Sequence, residues 1–236
     1  MTNLYFFLTI TNRSDDKEFI DFFERYDINN IYSTPAFGTA SDTVLDLLGL
    51  AASEKTVHLS LLPEGRMRLM VKKLTSEMLI DAPGRGIALA IPLSSVAGRD
   101  AFNYFAQGEN NDTAPNAVSV KKETNFMTQN TELIVVICEK GHTDLVMDAA
   151  REAGARGGTV IRAKGTGSQY TDKFFGLSIA EEKELIYIVS TTGQKNEIMK
   201  AIATRAGRTT EAHAVVFALP VTATAGLRLI EEVDGE

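Results

Sequence analysis

The chain is short of several residue types, and each shortage narrows what it can be. Among 236 residues there is one cysteine, Cys138, and no tryptophan. A single cysteine excludes an internal disulfide and fits a reducing compartment, so a cytoplasmic location is expected. The sequons Asn12-Arg13-Ser14 and Asn111-Asp112-Thr113 carry no weight in such a setting. No apolar run approaches the roughly 20 residues that span a bilayer. The apolar start, Leu4-Tyr5-Phe6-Phe7-Leu8, lacks a basic leader and a small-residue cleavage site. It therefore reads as a buried first strand, and a secretory leader is not expected. Positive charge is in deficit: 24 Lys and Arg face 31 Asp and Glu, for a net charge of −7. That balance argues against nucleic acid as the main partner, while leaving room for a locally basic pocket.

What the chain does contain is a repeat. Ala36-Phe37-Gly38-Thr39-Ala40-Ser41, followed by Leu47-Leu48-Gly49-Leu50, is echoed by Ala163-Lys164-Gly165-Thr166-Gly167-Ser168, followed by Phe174-Phe175-Gly176-Leu177. Gly38 and Gly165 are 127 positions apart, and so are Gly49 and Gly176, Ile10 and Ile137, and Asp21 and Asp148. After one inserted residue the offset becomes 128, pairing Lys55 with Lys183, Gly65 with Gly193, Pro92 with Pro220 and Gly98 with Gly226. A register held over almost a whole domain marks a tandem duplication. The expected organisation is a divergent copy over residues 1–100, a polar linker over 101–130 and a second copy over 131–236.

Both copies carry the same pattern. Strands are expected at 4–11 and 132–138, the latter built on the continuous run Leu-Ile-Val-Val-Ile. A helix follows in each. In copy one, Asp15 and Glu18 have capping-box spacing, and Phe19, Phe22, Phe23 and Tyr26 share a face. In copy two, Thr143 is the expected N-cap, with Val146, Ala149, Ala150 and Ala153 on the equivalent face. Then come strands at 31–37 and 159–164, strands at 56–62 and 184–190, and helices at 64–78 and 194–206. The second helices carry Met70, Val71 and Leu74 in one copy, and Ile198, Met199 and Ile202 in the other. Last strands at 86–91 and 212–219 end on Pro92 and Pro220, which stop ladder pairing. The order β-α-β-β-α-β makes an α+β fold of two ferredoxin-like domains. Helices cover one face of each antiparallel sheet. The other face is left bare, so face-to-face sheet packing in an oligomer is expected.

Two glycine loops draw attention. One is Thr159-Val160-Ile161-Arg162-Ala163-Lys164-Gly165-Thr166-Gly167-Ser168-Gln169, where a strand runs into Gly-x-Gly beside a lysine. Glycines there let backbone N–H groups approach an anion. It is neither a P-loop nor a dinucleotide fingerprint, because the later Lys-Ser/Thr or third glycine is missing. The other is Pro83-Gly84-Arg85-Gly86 in copy one, whose counterpart in copy two is Ala206-Gly207-Arg208-Thr209. Copy one in turn has Phe37 where copy two has Lys164, and Ala40 where it has Gly167.

A strand followed by Lys-Gly-x-Gly-x-Gln inside a β-α-β-β-α-β module resembles the P-II nitrogen-regulatory signalling family, throughout residues 131–231 and more faintly over 3–100. The resemblance implies a non-enzymatic regulator, trimeric through inward-facing sheets, and possessing no cofactor. It implies ATP or ADP as effector ligand, often with 2-oxoglutarate, and a regulated target protein such as a membrane transporter. By matched position it makes Lys164, Gly165, Thr166, Gly167 and Gln169 nucleotide contacts, joined by Gly84, Arg85 and Gly86, and by Arg99 and Arg228 past the last strands. Each copy then keeps one half of a cleft. The segment from Gly165 to Lys183 is shorter than the family's T-loop, and Tyr170 within it has no family motif for covalent modification.

The competing readings are an assembly module with decayed sites, a CutA-like trimer associated with metal ions, and a small ferredoxin-like enzyme such as an acylphosphatase. Glu139-Lys140-Gly141-His142 makes a poor phosphate loop for the last. His58 reads as an ordinary sheet residue, and His213 as a weak candidate ligand contact. Cys138 and His142 give only two ligands to a metal.

Overall fold

The computed structural model describes residues 3–28, 30–39, 54–94, 96, 130–164, 173–174, 177–178 and 182–227. In chain order the elements are β1 (Leu4–Asn12), a 3-10 turn (Arg13–Asp15), α1 (Asp16–Arg25), β2 (Tyr32–Gly38), β3 (Glu54–Pro63), α2 (Glu64–Ser76) and β4 (Gly86–Pro92). The sequence of types then recurs as β5 (Thr131–Glu139), α3 (Thr143–Glu152), β6 (Thr159–Lys164), a small hairpin of β7 (Lys173–Phe174) and β8 (Leu177–Ser178), β9 (Glu182–Thr191), α4 (Thr192–Ala206) and β10 (Val215–Val221). A short β11 (Ala223–Ala225) ends the described chain. This is the expected α+β, ferredoxin-like arrangement.

The chain partitions into two compact units, and each borrows from the other half of the sequence. Unit 1 comprises Met1–Ser33, Thr56–Gln129 and Val221–Glu236; unit 2 comprises Thr34–Lys55 and Asn130–Pro220.

In unit 1, β1 lies between β3 and β4, running antiparallel to β4 from Tyr5↔Pro92 to Thr11↔Gly86. On the far side of β4 comes β11, with Ala223 opposite Ala90 and Ala225 opposite Ala88. Helices α1 and α2 cover this sheet. Their buried face joins Phe19, Phe22 and Phe23 to Met67, Met70, Val71 and Leu74, against Phe7, Leu62, Ala88 and Ala90 of the strands. Phenylalanines at positions 19, 22 and 23 sit three to four residues apart, so one turn of α1 delivers all three rings inward. Tyr26, expected on that face, lies at its margin with its hydroxyl donating to Glu77 Oε1 at 2.6 Å.

In unit 2 the strand order is β10-β5-β9-β6, with the Thr34–Gly38 stretch of β2 laid along β6. β5 and β9 pair along their full lengths, from Thr131↔Thr191 to Glu139↔Lys183. The core here is aliphatic: Ile134, Val136, Ile186 and Ile188 of the sheet meet Val146, Ala149 and Ala150 of α3, and Ile198 and Ile202 of α4. Thr191 caps α4, its Oγ1 accepting from Gln194 N at 3.2 Å.

Several expectations are corrected. Asp15 stands at the N-cap of α1 yet makes no capping bond, because it and Glu18 turn toward Arg85 instead. His142, not Thr143, occupies the N-cap of α3; the Thr143 hydroxyl donates to Glu184 Oε2 at 2.7 Å. The last strand of copy two lies at Val215–Val221, so Pro220 falls inside it. β10 is the edge strand of the sheet, the position where proline is tolerated. Leu8 and Leu89 in unit 1, and Leu133 and Val135 in unit 2, are buried. The 101–130 linker lies outside the described residues except for Asn130.

Candidate functional site

The end of β6 in unit 2 gathers charge. Register alone sets this up: Arg162 stands opposite Glu184, Ala163 opposite Lys183 and Lys164 opposite Glu182. Side chains alternate across a strand, so Arg162 and Lys164 share one face with Glu182 and Glu184, while Lys183 points to the other. Beside them the chain turns from β5 into α3 through Lys140, Gly141 and His142. Glu184 fixes that turn. Its Oε2 accepts from Gly141 N at 3.2 Å and from Thr143 Oγ1, which consumes the one buried carboxylate of the group.

The result is a cleft of about 190 Å³ lined by Lys140, Arg162, Ala163, Lys164, Glu182 and Lys183. Lys140, Arg162 and Lys164 bring cationic side chains to it against the Glu182 carboxylate. Lys140 Nζ pairs with Glu182, and Lys183 Nζ with Glu139 behind the wall. The Lys140 hydrogen bond, helped by the charges of Lys164 and Arg162, holds the Glu182 carboxyl below its ordinary range. The Arg162 guanidinium lies 5.3 Å from the centroid of the Phe37 ring, on the β2 stretch that unit 2 takes from the N-terminal half. Such an arrangement suits a small, multiply charged anion: several cations converge on an open strand end, and their own carboxylates are partly spent on one another.

Copy one's glycine loop is built differently. Arg85 NH2 donates to Glu18 Oε1 at 3.1 Å and Arg85 NH1 to Asp15 Oδ2 at 3.4 Å. The same guanidinium donates to the Met78 carbonyl at 3.3 Å and lies 6.0 Å from the Phe19 ring centroid. The Gly84 carbonyl accepts from Asn12 Nδ2 at 2.8 Å. Gly86 has φ +149°, and a Cβ there would come within 2.4 Å of the Ile10 carbonyl oxygen. Each residue of Gly84-Arg85-Gly86 thus has a structural employment inside unit 1.

Of the residues assigned from the sequence, Lys164 sits in the cleft. Gly84, Arg85 and Gly86 belong to the unit 1 loop. Gly165, Thr166, Gly167, Gln169, Tyr170, Arg99 and Arg228 lie outside the described residues. Sequence reasoning passed over Lys140, Arg162, Lys183 and Phe37 as site residues. Cations close to three strand ends were a visible signal, but nothing short of the strand register showed that they converge.

The remaining candidates resolve as follows. His58 is buried in β3 and stacks on Phe19, ring centroids 6.4 Å apart. Its Nδ1 lies 2.9 Å from Ser33 Oγ, and its Nε2 3.4 Å from Thr11 Oγ1 and 3.6 Å from Asp16 Oδ1. Burial lowers its pKa, against the smaller opposing pull of Asp16. Burial, with Glu184 and Glu139 nearby, pushes the Cys138 thiol up to about 11, so it is protonated at neutral pH and a poor metal ligand. No group of three His, Cys, Asp or Glu residues able to hold a metal occurs among the described residues. His213 is exposed, 3.8 Å from Glu139 Oε1. No helix among the described residues is long and apolar enough to cross a membrane.

Comparison with known proteins agrees with the resemblance. Residues 131–231 match the family model described as Nitrogen regulatory protein P-II. The matched residues include those that line the cationic cleft. Among solved structures, the chain is similar to that of Arabidopsis thaliana PII bound to citrate, at 22% identity over 40% of this chain and 77% of that one, with a TM-score of 0.30. No curated protein matches.

Proposed function

We propose that this chain is a P-II-like, non-enzymatic regulator whose C-terminal half binds a small anionic effector, an adenine nucleotide first among candidates, and passes its bound state to a partner protein. The observation that carries this reading is the cleft lined by Lys140, Arg162, Lys164 and Lys183 at the end of β6. Its Lys164 leads directly into Gly165, Thr166, Gly167 and Gln169, the residues that the family resemblance assigns to the nucleotide. ATP or ADP acts here as a signal rather than as a cofactor. By resemblance alone, Gly84, Arg85, Gly86, Arg99 and Arg228 supply further contacts. For Arg85 that role requires leaving Asp15 and Glu18.

The partner is a regulated protein, with a membrane transporter and nitrogen supply as the family's example. The working form is a homotrimer in the cytoplasm. Calorimetric titration with ATP, ADP and AMP tests the effector: heat with at least one nucleotide, weakened in Lys164→Ala and Gly167→Ala, is expected. No heat with any of the three sinks the reading. Light scattering tests the assembly, and a stable monomer refutes it.

A further inference from the structure

Phe37 stands where copy two has Lys164, so in a residue-by-residue comparison of the copies it marks a lost cation. The structure gives it another place. The stretch Thr34–Thr39 belongs to unit 2, where Phe37 pairs with Val160 and Gly38 with Thr159. Beyond these two pairs the strand is locked down. Thr39 N donates to the Gly158 carbonyl at 2.8 Å, and Gly158 N returns a bond to Thr39 Oγ1 at 2.7 Å. The Thr39 carbonyl accepts from Arg151 Nη2 at 2.6 Å.

Phe37 opposite Val160 places its ring on the same sheet face as Arg162, at the diagonal cross-strand position that an aromatic and a long side chain can bridge. They do meet: the guanidinium carbon is 5.3 Å from the ring centroid, inside the range of a cation–π contact. Arg162 is exposed and lines the cleft. Left alone, an exposed arginine samples many rotamers and loses that freedom on binding an anion. A ring held by a paired strand removes part of this loss in advance.

We infer that Phe37 is a positioning residue for the anion cleft: copy one's strand orients Arg162, through its aromatic face, toward the ligand of copy two. The inference rests on the reading of that cleft as an anion site. It assigns the N-terminal half a part in ligand binding that needs no cation of its own.

The test is a double-mutant cycle on the full-length protein, with ATP and inorganic pyrophosphate as the titrated probes. Phe37→Leu keeps bulk and apolar character but removes the ring. It is expected to weaken binding roughly 2- to 30-fold, the range of a cation–π contact. Phe37→Tyr is expected to retain affinity. Arg162→Ala is expected to weaken binding at least as much, and Phe37→Leu added to it is expected to change nothing more. Additive losses, or unchanged affinity in Phe37→Leu, overturn the inference. Failure of the anion reading is separable. If the wild-type protein binds neither probe, the pair is judged without ligand, by the Arg162 Nε–H resonance in NMR. A shift of that resonance between wild type and Phe37→Leu keeps the positioning role; no shift removes it. Should Phe37→Leu unfold, Phe37→Tyr against Arg162→Lys carries the test, because lysine keeps the charge and loses the planar stack.

Discussion

The two halves of the sequence share an order of elements, but the two units treat their arginines in opposite ways. In unit 1, Arg85 is drawn inward. Two carboxylates of the α1 start and a backbone carbonyl take its N–H groups, and Phe19 lies beneath its plane. In unit 2, Arg162 also lies over a phenylalanine, yet faces an open cleft beside three lysines. An aromatic floor under a guanidinium thus serves two ends. Where carboxylates stand within reach, it completes a clamp; where lysines crowd in, it leaves charge on offer. The cores differ in the same sense. Unit 1 is filled by the rings of Phe19, Phe22 and Phe23, unit 2 by Ala149 and Ala150 with β-branched strand residues.

The sharpest attack on this contrast is to remove the ring core. Phe22 is completely buried, and Phe22→Ala is expected to cost about 3–5 kcal/mol in denaturant unfolding. A loss under about 1 kcal/mol would show that unit 1 does not depend on its rings.

Next comes the loop that delivers Arg85. Gly86→Ala forces a Cβ against the Ile10 carbonyl, and about 2–3 kcal/mol of destabilisation is expected. Gly84, at φ +77° with open space around its missing Cβ, is expected to tolerate alanine at about 1 kcal/mol. Equal costs at the two sites would mean that crowding at Gly86 is relieved by a shift of β1.

A smaller effect belongs to the buried histidine of unit 1. Burial holds folded His58 below its ordinary pKa. The unfolded chain therefore binds a proton that the folded one resists. Stability is full above the unfolded value near 6.5 and declines as pH falls below it, by at most about 1.4 kcal/mol per pH unit, until the folded value is passed. Melting curves between pH 5 and 8 should show this slope in the wild type. It should be absent from His58→Gln, and persistence of the slope would assign it elsewhere.

The smallest effect falls on Arg85 itself. Its partners are partly exposed, so Arg85→Ala is expected to cost only about 1 kcal/mol. Nucleotide affinity is expected to fall less in Arg85→Ala than in Arg162→Ala, because Arg85 is already engaged by Asp15 and Glu18. An equal or larger fall in Arg85→Ala would break the contrast.

Much of this was readable in the chain. Period-two and period-3.6 patterns placed the strands and helices of both halves, and the Phe19, Phe22 and Phe23 face was legible from spacing alone. The caps were misread for a definite reason. Asp15, Glu18 and Thr143 have the right types at the right positions, but partners distant in sequence, Arg85 and Glu184, bind them more strongly than the local N–H groups do. Charge-assisted bonds outcompete a cap wherever the fold brings the ions together.

The sequence by itself settled what depends on neighbours along the chain: element types, their order, the recurrence of that order and the Lys164 strand end that led to the P-II resemblance. Only the tertiary structure decided which strands lie side by side. That choice sends β11 to β4 and β2 to β6, turns Arg85 inward, and gathers Lys140, Arg162 and Lys183 around Lys164. The physical reason is that local periodicity fixes which face of a strand is apolar, but pairing between strands more than a hundred residues apart is chosen by the packing of the whole unit.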